Sequence, residues 1–137
     1  MDGTREVASG WFEALTGGDI ERALGFLDPE VEWINYSPVA GYNDDMEWIG
    51  TCRGPEEVLA SFQTFVGTVD VGAESLVQLV VDGDEAMGVI HETGTVKATG
   101  RQFEIEFIQW LTVRNGRITR WKSYTDPSQI IRAIRAQ

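Results

Sequence analysis

The chain has 137 residues, 42% of them hydrophobic, which suits one domain with a sizeable core and is too short for two. Its 22 acidic residues against 11 basic ones give a formal charge of -11, which repels nucleic-acid phosphates and anionic membrane surfaces, so neither is an expected partner. Cys52 is the single cysteine, the N-terminal stretch lacks the basic and apolar regions of a secretion signal, and runs such as Leu76 to Val81 fall far short of the ~20 apolar residues of a membrane helix; a cytoplasmic setting is expected.

In chain order, Thr4 can cap a helix in which Val7, Ala8, Trp11, Phe12 and Leu15 recur at helical spacing and which Gly17-Gly18 ends. Asp19 can cap a second helix, Ile20 to Leu27, broken by Asp28-Pro29. Val31 to Asn35 then reads as a strand with Val31, Trp33 and Asn35 on one side, interrupted at Ser37-Pro38. Ser37 to Arg53 is a long loop whose Tyr42, Met46, Trp48 and Ile49 are apolar anchors, a pattern common in functional covers.

Gly54-Pro55 opens a third helix with Glu56 and Glu57 in its first turn and a stripe of Val58, Leu59, Phe62, Phe65 and Val66. After a break from Gly67 to Ala73, strands are predicted over Ser75 to Val81 and Glu85 to Lys97, joined by Asp82-Gly83-Asp84. The stretch from Arg101 alternates strictly, with Phe103, Ile105, Phe107, Leu111 and Val113 on one face and one polar residue, Gln109, among them. Asn115-Gly116 supplies a tight hairpin turn, Ile118 to Thr125 returns, Asp126-Pro127 stops it, and Ser128 to Ala136 forms a terminal helix. Helices followed by strands argue an α+β fold: a cone-shaped α+β barrel in which a strongly bent antiparallel sheet packs against three helices from the N-terminal half, enclosing an apolar pocket.

With WFEALTGGDIERALGFLDPEVEW at the front, RGPEEVLASF in the middle and NGRITRWKSYTD near the end, the chain resembles the nuclear transport factor 2-like superfamily. Within it the chain is similar to the SnoaL-like polyketide cyclases, the ketosteroid isomerases and the limonene-epoxide hydrolases. The ketosteroid-isomerase catalytic positions hold Trp11, Gln109 and Asn35 here, without that family's general base. The epoxide-hydrolase positions hold Thr93, Thr95 and Asp126, of which Asp126 alone keeps the family's residue. The SnoaL-like pattern, resting chiefly on one Asp placed at Asp126, is the closest match. The resemblance implies a cofactor-independent cyclase or isomerase acting by acid/base catalysis on a hydrophobic, carbonyl-bearing small molecule such as a polyketide. The alternatives it leaves are a non-catalytic binding protein of the same fold and an epoxide hydrolase.

Asp126 has two readings, an acid/base group or the N-cap of the last helix, and burial decides between them. His91, the only histidine, shares parity with Met87, Val89, Thr93 and Thr95; the resemblance turns that face inward, where an imidazole can accept a proton, and turns Glu92 outward. Asn35 and Gln109 are neutral amides on inward positions that can orient a carbonyl but cannot abstract protons. Trp11, Trp33, Tyr36, Trp48, Phe107 and Tyr124 are candidate wall residues. Trp110 and Trp121 have outward parity, and the superfamily's habit of pairing through that face implies a homodimer. One Cys and one His make no zinc set, Asp44, Asp45 and Glu47 match no calcium loop, and there is no Gly-rich phosphate loop, so no cofactor or metal is expected.

Overall fold

The computed structural model describes residues Gly3 to Arg135. The elements are α1 (Gly3–Thr16), α2 (Ile20–Leu24), β1 (Leu27–Asn35), β2 (Gly50–Arg53), α3 (Pro55–Thr68), β3 (Val69–Asp82), β4 (Glu85–Val96), β5 (Gln102–Arg114), β6 (Arg117–Tyr124) and α4 (Ser128–Arg135). Six strands form one bent sheet in the order β2-β1-β6-β5-β4-β3. The sheet is open, with β2 and β3 at its edges, so the expected barrel is a curved half-shell completed by helices. One pairing, β1 with β6, is parallel; the others are antiparallel.

Local boundaries differ from the sequence reading in ways that have causes. Thr4 lies inside the first turn of α1 rather than before it, and Asp19 caps α2 as expected, accepting from the Arg22 backbone N–H at 3.1 Å. α2 ends at Leu24 and Leu27 already belongs to β1, because the buried Leu27 pairs with Ile118; Asp28-Pro29 falls in the irregular part of that pairing instead of ending a helix. β3 starts at Val69 and absorbs the expected break. A short β2, unforeseen within the long loop, pairs with β1. The predicted end of the terminal helix at Ala136 lies outside the described residues.

The β4–β5 pairing sets which side chains face the helices. Phe103, Ile105, Phe107, Gln109, Leu111 and Val113 face inward, and across the ladder they meet Gly94, Glu92, Ile90, Gly88 and Ala86. Small residues there make room for rings. A Cβ on Gly88 would lie 2.3 Å from Phe12 Cζ, and one on Gly94 2.6 Å from Phe103 Cζ. Two apolar clusters result: one joins Trp11, Phe12, Ile90, Leu111, Trp33 and Trp121, the other Met46, Trp48, Val69, Phe103, Ile130 and Ile131.

Phe12 is fully buried against Gly88, so its ring has nowhere to move. Gly88→Ala is therefore expected to destabilise the fold by about 1–3 kcal/mol, the usual range for overpacking a filled core, measured by urea unfolding against wild type.

Candidate active site

A cavity of about 600 Å³ is lined from both clusters, a volume in the ordinary range for small-molecule sites. Its walls come from the end of α1, the inner stripe of α3, the loop between β1 and β2, and the concave face of the sheet. Trp33, Trp48, Phe62, Ile105, Phe107 and Trp121 make it predominantly apolar. Trp33 and Trp121 stack with centroids 3.6 Å apart and planes 3° from parallel. Their indole N–H groups are buried without an acceptor among the described residues, a cost of roughly 1–3 kcal/mol each.

The loop over the cavity is tied down at both ends of its span. Asn43, itself buried, accepts from the Val39 N–H at 2.7 Å and donates to the Ser37 carbonyl at 3.2 Å. Arg135 from α4 donates to Asp45 at 2.6 Å and to the Tyr42 carbonyl at 2.8 Å. Directly after these anchors Met46 and Trp48 turn inward, Trp48 meeting Phe65 edge to face at 5.0 Å. Asp44 accepts from the Gly41 N–H, and Asp44, Asp45 and Glu47 are all exposed.

Glu92 is the polar centre of the cavity. It sits opposite Ile105 on β5 and opposite Glu74 on β3, is 4% exposed, and lines the wall together with Glu74. Burial pushes its carboxyl up to about 9, with hydrogen bonding to Glu74 and that residue's charge adding to the rise. Held protonated through the neutral range, the Glu92 carboxyl can act as an acid in an apolar setting.

Three further polar residues line the same cavity. Gln109 accepts from the Trp11 indole N–H at 2.9 Å, which fixes the amide on the inner face of β5. Asn35 and Tyr36 line the cavity at the end of β1. Tyr36 holds a φ of 60°, a strained value for a bulky side chain. Burial raises its phenol to about 12, a hydrogen bond with Thr125 opposes the rise, and the charges of Glu92 and Asp126 and the nearby Tyr42 add to it. The phenol is therefore a proton donor throughout the neutral range.

Six sequence-predicted residues do come together in the wall: Asn35, Tyr36, Trp33, Trp48, Phe107 and Gln109. Four do not. His91 is on the convex face of the sheet, 2.6 Å from Glu104, because the β4 register turns the even-numbered residues inward; the expected parity was reversed, and Glu92 occupies the place expected for His91. Asp126 is exposed and accepts from the Ser128 backbone N–H at 3.0 Å, which holds its carboxyl below the usual range; it serves the start of α4 and is not in the cavity. Trp11 is fully buried behind Gln109 and not in the wall. Tyr124 is on the outer face near Trp110.

Trp121 is the reverse case, expected outside and found inside. The β5–β6 ladder shifts between Thr112/Arg120 and Val113/Ile118, skipping Thr119, so parity resets and both Ile118 and Trp121 are buried. Glu74 and Glu92 were the functional residues the sequence reading missed. A signal for Glu92 existed: counting back through the Lys97–Arg101 turn from the apolar face of β5 puts it opposite Ile105.

The family model described as "SnoaL-like domain" matches residues 8–121. The chain belongs to the SnoaL-like domain family. A search of curated proteins gives no match. Among solved structures, a nuclear transport factor 2-like protein of unknown function from Burkholderia pseudomallei K96243 is similar at a TM-score of 0.85 and 20% identity, covering 99% of this chain and 100% of that one. Another nuclear transport factor 2-like protein, from Burkholderia thailandensis E264, gives 0.86 and 23%, covering 98% and 99%. TerC, co-crystallised with polyporic acid, gives 0.76 and 20%, covering 98% and 100%. The α+β fold of this SnoaL-like domain is thus shared by proteins of low identity. No helix among the described residues is long and apolar enough to cross a membrane.

The raised Glu92 carboxyl links stability of this SnoaL-like domain to pH. Its folded-state value lies above the ordinary carboxylate value, so its contribution is complete below that value and is lost as pH rises through about 9. The melting temperature of the wild type is expected to fall between about pH 5 and about pH 9, and that of Glu92→Gln to fall less over the same interval. Equal slopes in a thermal scan would place Glu92 in water.

Proposed function

We propose that this SnoaL-like domain is an acid/base enzyme, acting without a cofactor, that moves a proton on a hydrophobic carbonyl-bearing small molecule and so isomerises or cyclises it. The observation that carries this reading is the carboxyl pair Glu74/Glu92 inside an apolar cavity. In this reading the ionised oxygen of the pair takes a proton from the carbon next to the carbonyl. The C–H bond breaks, an O–H bond forms, and the electron pair moves onto the carbonyl oxygen as an enolate.

Neutral donors are what an enolate requires, and the cavity supplies the Tyr36 phenol and the Asn35 and Gln109 amides. Return of the proton to a different carbon gives an isomer; attack of the enolate carbon on a second carbonyl gives a ring. His91 and Asp126 stand apart from this chemistry, so the proton-handling role first expected of them passes to the pair. TerC, which shares the fold, was crystallised with a small molecule, polyporic acid, and this agrees with a cavity used for small ligands.

The test is deuterium exchange at the α-carbon of α-tetralone in heavy water, followed by NMR. The wild type should accelerate exchange, and Glu92→Gln should lose on the order of 10²–10⁴-fold of that acceleration. Asp126→Asn and His91→Ala should stay within about twofold of wild type. Absence of acceleration, or an unaffected Glu92→Gln, would sink the reading.

A homodimer through the convex sheet face is part of the same proposal. Val80, Met87, Ile108 and Tyr124 are exposed there, and Val80–Met87–Trp110 and Val89–Ile108–Tyr124 are cross-strand neighbours that form one apolar patch. Light scattering is expected to give about twice the 15.2 kDa chain mass for the wild type and the single-chain mass for Met87→Lys combined with Ile108→Lys.

A further inference from the structure

We infer that the ligand of this cavity carries a basic nitrogen and binds as its cation between the Glu74–Glu92 pair and the aromatic wall, while carboxylates and phosphates are excluded. The inference rests on the reading of the cavity as the substrate site and adds the charge class of what enters it.

The argument starts from the charges that line the cavity. Its titratable side chains are Glu92 from β4, Glu74 from β3 and Tyr36 at the end of β1. β5 contributes Ile105, Phe107 and Gln109; β6 contributes Trp121 and Ser123; α1, α3 and α4 contribute neutral side chains as well. Among the described residues, no Arg, Lys or His side chain is in the lining. The basic residues of β6 point the other way: Arg120 pairs with Glu32 and lies over Trp110, and Lys122 lies over Tyr124.

Glu92 is therefore a deeply buried acid, facing open space, with another acid as its one side-chain partner. Buried carboxylates are ordinarily offset by a fixed cation or by several donated hydrogen bonds. Neither is supplied by the described residues, and Glu92 keeps its proton instead. A ligand cation would supply the missing countercharge in a place where water screens it little.

The wall suits the same ligand. Trp33, Tyr36, Trp48, Phe62 and Trp121 line the same cavity as the pair, and aromatic rings attract alkylammonium groups that hydrogen-bonding sites handle poorly. An anionic ligand would meet like charge and no fixed positive group, and the formal charge of -11 on the whole chain opposes its approach.

Three probes of one shape decide the matter: benzyltrimethylammonium, its uncharged isostere neopentylbenzene, and phenylmethanesulfonate. Binding is read by quenching of tryptophan fluorescence at low ionic strength, with the wild-type chain. The cation is expected to bind at least about tenfold tighter than the neutral isostere and the sulfonate more weakly than either. The ratio of cation to neutral affinity should widen as pH rises through about 9, where Glu92 loses its proton.

Glu92→Gln is expected to abolish the widening with pH, and Glu74→Gln to collapse the ratio to within about twofold at neutral pH. A cation bound no more tightly than neopentylbenzene, a sulfonate that matches the cation, or a ratio that survives both substitutions would overturn the inference. Failure of the catalytic reading is separate. A cation preference without exchange on α-tetralone removes the enzyme and leaves the ligand class; exchange without the preference does the opposite.

Discussion

Antiparallel pairing of Glu92 with Ile105, and of Gly88 with Gln109, holds β4 so that its even-numbered residues look toward the helices. Because side chains alternate along a strand, a slip of one residue would put His91, Thr93 and Met87 inside and expel the carboxyl. Such a slip is blocked by packing. Phe12 and Phe103 lie so close to Gly88 and Gly94 that a side chain at either place would have to push a buried ring aside. The fully buried Ile90 would also be driven into water. The chemistry of the cavity thus depends on two glycines whose only contribution is to leave room.

What the register creates is a core that is deliberately incomplete. α3 has the apolar stripe of a packed helix, yet only Val58 on it is buried, since Leu59, Phe62, Phe65 and Val66 look into the cavity. Add the strained backbone of Tyr36, the two unpartnered indoles and the raised Glu92 carboxyl, and several local departures from best packing meet at one place. Such a concentration of local costs is the pattern expected of the site proposed above, where stability is given up for a cavity.

Much of this was legible before the structure. Alternation on β5 placed Phe107 and Gln109 correctly, Asn115-Gly116 marked the hairpin, and Gly54-Pro55 marked the start of α3. β4 was hard to read from its own residues, because its inner face mixes Ala86, Ile90 and Val96 with two glycines and Glu92 while its outer face carries Met87 and Val89, so apolar residues fall on both sides. The skipped Thr119 defeated parity on β6 in the same way, hiding Trp121. Glu74 could not be found from a period at all: β3 is largely exposed and interrupted by two register shifts, so its pairing with Glu92 is a fact of tertiary structure.

The grip of Arg135 on the loop that carries Met46 and Trp48 has a practical side. The last described residue of the chain holds the roof of the chamber, though no residue of its own turn lines it except Ile130 one turn back. Whatever loosens α4 therefore also loosens the wall that Met46 and Trp48 form, although helix and loop lie some ninety residues apart in the chain.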